Sequence, residues 1–245
     1  MKIVETIPIA KGVFKERLAY FSNQEIKPGM LVEAPLKNKT ITALVASVKE
    51  AGDLKAQIKN SDFAMKKLGP IKNKGFFLPE FLASATWSAE YFACSLGQII
   101  KELTPKIVLD NSENIKVSLP KEDAEDVVSE IQASQASEEE RWSFYKSLIR
   151  EAFAKKQSVF WCLPNVTEIK NAQNFIARGI EQYVIILHNK LSKKELLTAW
   201  KKAIENDHSV LIIATPMFLS LPRENIKTFI IDKENSSAYK SRVRP

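Results

Sequence analysis

Polar and apolar positions follow two rhythms along this chain. From Lys2 to Ile7 they alternate, the two-residue period of a half-buried strand. Leu18 to Phe21 is apolar and aromatic, and Met30 to Ala34 follows the turn dipeptide Pro28-Gly29. Thr40 to Val48 is β-branched and alternating, directly after the basic turn Lys37-Asn38-Lys39. Four short strands joined by tight turns predict a small, mainly antiparallel sheet or barrel. After Leu78 the period lengthens: Phe81, Leu82, Ala85, Ala89, Phe92 and Ala93 recur at three- and four-residue spacing, as on a helix face. Gly97 is expected to divide this stretch into two helices, the second ending at Leu103 ahead of Pro105.

The second rhythm begins at Glu138. Continuous apolar runs at 159–163, 183–187, 210–214 and 228–231 are separated by helical patterns at 138–155, 166–178 and 193–205. Short apolar runs alternating with amphipathic helices predict a parallel, doubly wound sheet. The fold class is therefore α/β overall: a small antiparallel β domain with appended helices over 1–104, then a parallel-sheet domain over 138–245. Residues 105–137 separate them. They are rich in Ser, Ala, Gln and Glu with scattered large apolar residues, which reads as an acidic linker with room for one short helix. No internal repeat is visible.

Charge sharpens this division. Residues 1–104 hold 15 basic against 10 acidic residues, residues 105–140 hold 3 against 10, and residues 141–245 hold 18 against 9. Two basic bodies flank an acidic strip. Such bodies favour a polyanion, because Lys and Arg displace counterions from a phosphate backbone; a solvated lysine-rich surface is the other reading. Apolar residues at 45% exclude a wholly disordered chain. Cys94 and Cys162 sit singly in apolar runs, so neither a disulfide framework nor a zinc site is expected. Glu5 interrupts any apolar leader, and no apolar run approaches the roughly 20 residues that span a bilayer. A cytoplasmic protein is expected.

Particular residues carry a resemblance. Ile7-Pro8, Leu18-Ala19-Tyr20-Phe21, the run from Lys27 to Pro35, and Trp87-Ser88-Ala89-Glu90-Tyr91-Phe92 followed by Ser95-Leu96-Gly97 resemble the 3′-DNA-end-binding domain of the primosomal protein N′ (PriA) family of replication-restart helicases. The resemblance implies a nucleotide pocket around an F-D-Y triplet, where Leu18, Ala19 and Tyr20 stand. Tyr20 is thus a candidate for stacking on a base, or else a half-buried strand aromatic. Ala19 cannot make the hydrogen bonds implied for the aspartate. Lys37 replaces a family glycine; Lys37 and Lys39 either touch phosphate or keep a hairpin soluble, and Lys67 is a third candidate for DNA contact.

The second body resembles the first, RecA-like helicase lobe of that family. The matching stretches are Leu187-His188-Asn189-Lys190-Leu191-Ser192 with Glu195 and Trp200, then Ala214 to Pro222, then Asp232-Lys233-Glu234-Asn235-Ser236-Ser237-Ala238-Tyr239-Lys240. The implied ATP and Mg²⁺ chemistry is damaged. A phosphate loop needs glycines and a lysine, but the aligned run is Ala136-Ser137-Glu138-Glu139-Glu140-Arg141-Trp142. It reads as a helix start with Ser137 as N-cap and acids suited to the helix dipole, leaving Arg141 as a nucleotide-binding remnant. In the metal-binding motif Asp232 and Glu234 remain, while Lys233 replaces the acid that would polarise water. No cofactor, bound metal or catalytic residue is expected.

The bland readings are structural. His188 and His208 lack catalytic partners, Trp142, Trp161 and Trp200 suit cores, and Phe76-Phe77 suits packing. The leading expectation is DNA binding at forks or single-stranded 3′ ends in replication restart, without ATP-driven unwinding. The alternatives are a 3′-5′ helicase fragment needing a second lobe, and a scaffold for replication or primosome proteins.

Overall fold

The computed structural model describes residues 1–13, 15–50, 65–117, 130–176 and 179–240. The chain divides into two units, Met1–Val117 and Ser118–Arg244.

In the first unit five strands form one antiparallel sheet in the order β2-β1-β4-β3-β5. They are β1 (Lys2–Pro8), β2 (Leu18–Ser22), β3 (Leu31–Leu36), β4 (Lys39–Glu50) and β5 (Ile71–Asn73). The four longer strands are those the alternation predicts; the three-residue β5 carries too little pattern to read. Residues 66–70 draw the two sides of the sheet together. Phe21 N–H donates to Lys66 O at 3.1 Å and Leu68 N–H to Phe21 O at 2.9 Å, while Gly69 N–H donates to Glu33 O at 2.9 Å. Only glycine permits that last approach, since a Cβ at position 69 would lie 2.8 Å from Glu33 O. Val4, Tyr20, Met30, Val32, Ala43, Val45 and Leu68 fill the enclosed core.

Two helices follow, α1 (Pro79–Tyr91) and α2 (Leu96–Leu103). The break lies ahead of Gly97 and has another cause. Ala93 adopts the left-handed conformation at φ 51°, and Cys94 N–H returns to Ala89 O, closing α1. Ser95 then opens α2 with a reciprocal capping box to Gln98. Gly97 serves contact instead: inside α2 it lies against the end of β1, where a Cβ would come within 2.0 Å of Pro8 O.

The boundary expected at 104 is too early. α3 (Lys106–Asp110) and a 3₁₀ turn at Ser112–Asn114 belong to the first unit. Val108, Leu109 and Ile115 are buried, and Asn73 Nδ2 donates to the carbonyls of Ser112 and Ile115 at 2.7 and 2.9 Å. Three apolar side chains anchor a segment that holds as many basic as acidic residues.

The second unit holds α4 (Glu138–Ala154), β6 (Ser158–Cys162), α5 (Val166–Ile176), β7 (Val184–Leu187), α6 (Lys193–Glu205), β8 (Leu211–Ala214) and β9 (Ile226–Ile231). Its strands are parallel in the order β7-β8-β6-β9. Every second residue of β6 (Val159, Trp161) joins Leu211, Ile213 and Ile230 in a core covered by Trp142, Tyr145 and Ile149 of α4 and Ile169, Ala172 and Ile176 of α5. Trp200 of α6 is fully buried near Phe218. At the amino ends of the strands the buried Arg223 binds Ser158 Oγ, Asn225 Oδ1 and the carbonyls of Ala203 and His208. Among the described residues, no helix is long and apolar enough to cross a membrane.

Candidate functional site

In an open parallel sheet, ligand chemistry gathers at the carboxyl ends of the strands. There the start of α4 meets the end of β9. Ser137 caps α4 as its sequence predicts, with a capping box to Glu140. This puts the adjacent Arg141 and Trp142, with Tyr145 one turn further along the helix, over Asp232.

Asp232 is buried at 1% exposure, and both of its oxygens are engaged. Oδ1 accepts from Arg141 Nε at 3.0 Å, from the Tyr145 hydroxyl at 3.2 Å and from Lys233 N–H at 3.1 Å. Oδ2 accepts from Trp142 Nε1 at 3.3 Å. Arg141 also donates to Ala136 O at 2.8 Å. Burial works against the Arg141 charge, but the hydrogen bond and charge of Asp232 outweigh it and raise its pKa. Burial, reinforced by Asp232, pushes the Tyr145 hydroxyl up to about 12. Tyr239 closes the site from the other side, its hydroxyl donating to Asp232 O at 2.8 Å and lying 3.1 Å from Cys162 O.

The neighbouring charges pair as well. Lys233, at φ 54°, extends Nζ to Glu138 at 2.8 Å and Glu168 at 2.7 Å. Glu140 is held by Ser137. Glu234 is exposed and outside the Asp232 network.

These residues do not fit a triphosphate with Mg²⁺. The aligned loop has no glycine to bare its amides, the Asp232 oxygens are committed to protein donors, and both cations already hold carboxylates. The remnant pair Arg141 and Asp232 is brought together as an internal ion pair. Sequence reasoning missed Trp142, Tyr145, Lys233, Glu168 and Tyr239 as members; only the helical spacing of Arg141, Trp142 and Tyr145 hinted at a shared face.

In the first unit the candidates separate. Tyr20 is 4% exposed within the barrel core, and its hydroxyl donates to Pro35 O at 3.1 Å. Burial raises its pKa. The stacking role expected for Tyr20 is corrected by this placement: its alternation along β2 turns the ring inward, so it cannot present a face to a base. Lys37 and Lys39 lie exposed at the β3–β4 turn, Lys37 in the left-handed region at φ 52°. Lys66, which sequence reasoning passed over, is brought to this turn by a 3.2 Å hydrogen bond from Nζ to Lys37 O. Lys67 is exposed beside it, its backbone bridged to Phe21. None of the four forms an ion pair among the described residues. Phe76 and Phe77 are buried and packed together, as expected, whereas Trp87, Tyr91 and Phe92 form an exposed aromatic cluster.

A family model for the PriA 3′ DNA-binding domain (3′BD) matches residues 7–105. Replication restart protein PriA of Helicobacter pylori is 23% identical over 239 residues, 93% of this chain. Residues 7–105 thus match the PriA 3′BD, and similarity to PriA extends along most of the chain. A second PriA, from Chlamydia trachomatis, is 32% identical over 101 residues, 41% of the chain. The chain spans 36% of the length of the Helicobacter PriA and 13% of the Chlamydia PriA. The antiparallel unit followed by the parallel α/β unit agrees with a PriA 3′BD followed by a RecA-like lobe.

Proposed function

We propose that this PriA-like chain binds DNA in the cytoplasm in replication restart, at forks or single-stranded regions, without ATP-driven unwinding by the residues present here. The observation that carries this reading is the exposed lysine cluster, without ion pairs among the described residues, on a unit matching the PriA 3′BD. The closed Arg141–Asp232 site supports the second half, since every charge that would serve a triphosphate already serves the fold. The test is fluorescence anisotropy on a labelled forked oligonucleotide across a salt titration, with and without ATP. Binding that weakens as salt rises and ignores ATP supports the reading; no binding, or ATP-dependent release, overturns it.

A second reading, a scaffold for replication or primosome proteins, is supported by the Trp87, Tyr91 and Phe92 cluster. Its rings are 60–69% exposed on a helix end that carries Glu90 and no lysine. Exposed aromatic clusters mark protein interfaces. Protein capture that survives nuclease treatment and is lost on Trp87→Ala distinguishes this role from DNA bridging.

A further inference from the structure

The lysine cluster offers one kind of chemistry. Its members are cations on a turn and on the adjoining strand-like segment, and two carbonyls beside them already accept hydrogen bonds. Pro35 O accepts from Tyr20, and Lys37 O accepts from Lys66. The Tyr20 ring is sealed in the core, and the Ala19 side chain carries no polar group. A terminal sugar hydroxyl needs an acceptor and a base needs a ring face or a polar edge; a phosphate needs only cations.

The backbone adds an independent observation. Lys37 holds φ 52°, a conformation that costs a non-glycine residue about 1–2 kcal/mol and that glycine adopts freely. Among the described residues, Lys66 comes to the same turn without an ion-paired carboxylate to offset the two charges. Strain and like charge at one exposed turn oppose folding stability, and the like charge favours a polyanion.

We infer that Lys37, Lys39, Lys66 and Lys67 form a phosphate-backbone site for single-stranded DNA that does not distinguish a free 3′ end from the interior of a strand. This inference rests on the DNA-binding reading above and specifies what that binding recognises. Contacts to backbone phosphates fix position without reading sequence, and each neutralised phosphate on a single strand contributes about −0.7 to the salt slope.

The experiment measures binding of the whole chain to three single strands of equal length and sequence: one with a free 3′-hydroxyl, one with a 3′-phosphate, and one circular. Affinities within about threefold, with a slope near −3 if all four lysines engage, are expected. Lys37→Gly is the informative variant, because it removes a charge at a backbone position that favours glycine. It is expected to keep or raise the urea midpoint while flattening the slope by about 0.7. The combined Lys37→Gly, Lys39→Gln, Lys66→Gln and Lys67→Gln variant is expected to lose more than tenfold in affinity. A tenfold preference for the free 3′-hydroxyl strand, or an unchanged slope in the combined variant, overturns the inference and leaves the DNA-binding reading standing. Failure to bind any of the three strands overturns the DNA-binding reading itself.

Discussion

Replacing Asp232 tests whether this buried carboxylate is a structural node. In Asp232→Asn the amide oxygen keeps three bonds if it takes the Oδ1 place, those from Arg141, Tyr145 and Lys233. The amide nitrogen then faces Trp142 Nε1, donor against donor, at a position now spanned by a 3.3 Å bond. A buried unsatisfied donor costs about 1–3 kcal/mol, and losing the charge on the Arg141 bond costs about 1 more. The expected loss is therefore about 2–4 kcal/mol. Asp232→Ala leaves all four donors without their acceptor and is expected to cost about 3–5 kcal/mol, a large share of the 5–15 kcal/mol typical of a domain. Urea unfolding followed by tryptophan fluorescence reads this unit well, since Trp142, Trp161 and Trp200 lie in it and Trp87 alone lies in the other. A double-mutant cycle with Arg141→Gln is expected to show coupling of about 1–3 kcal/mol. Losses below 0.5 kcal/mol, on the scale of roughly ±0.5 for neutral surface changes, in both variants, or strict additivity in the cycle, would refute the reasoning.

The same network predicts alkaline lability. Tyr145 is favoured in its neutral form, with its pKa moved from 10 to about 12, so its contribution is complete below pH 10 and is lost as pH rises from 10 to 12. Urea midpoints at pH 9 and pH 11 check this, and the decline is expected to be shallower in Tyr145→Phe. Gly97→Ala forces a Cβ to within 2.0 Å of Pro8 O, so α2 must withdraw from β1 at a cost of about 3 kcal/mol or more, readable in the first unit's unfolding. Ala93→Gly relieves the left-handed residue closing α1 and is expected to stabilise the unit by up to about 1 kcal/mol in the same assay. Burial pushes the Cys162 thiol up to about 11, so in the native protein a disulfide reagent is expected to modify Cys94, which is partly exposed, and to reach Cys162 only on unfolding.

How much of this was legible depended on the range of each interaction. The alternation of Lys2–Ile7 and Thr40–Val48 and the apolar runs at 159–163 and 210–214 are local signals, and they became β1, β4, β6 and β8. Ser137 was readable as a cap because its partner Glu140 lies three residues on. Tyr20 was not, because strand periodicity gives alternation without saying which face is inward. Lys66 reaches Lys37 across 29 residues, and Arg141 reaches Asp232 across 91. No window of sequence contains either pair. The docking of segment 105–117 was illegible for a related reason: it depends on three buried side chains, Val108, Leu109 and Ile115, and on hydrogen bonds from Asn73, 39 and 42 residues away in sequence.

That 91-residue span also bears on how the second unit comes together. Helix α4 leaves the ribosome with Arg141, Trp142 and Tyr145 ready to donate, yet the carboxylate that receives them is synthesised 91 residues after Arg141. Closing so distant a contact is slow. Until Asp232 emerges, α4 has apolar partners on β6 and β8 but lacks the Asp232 anchor, so the nascent chain carries an unlatched helix over that interval, a window in which a chaperone is expected to engage it.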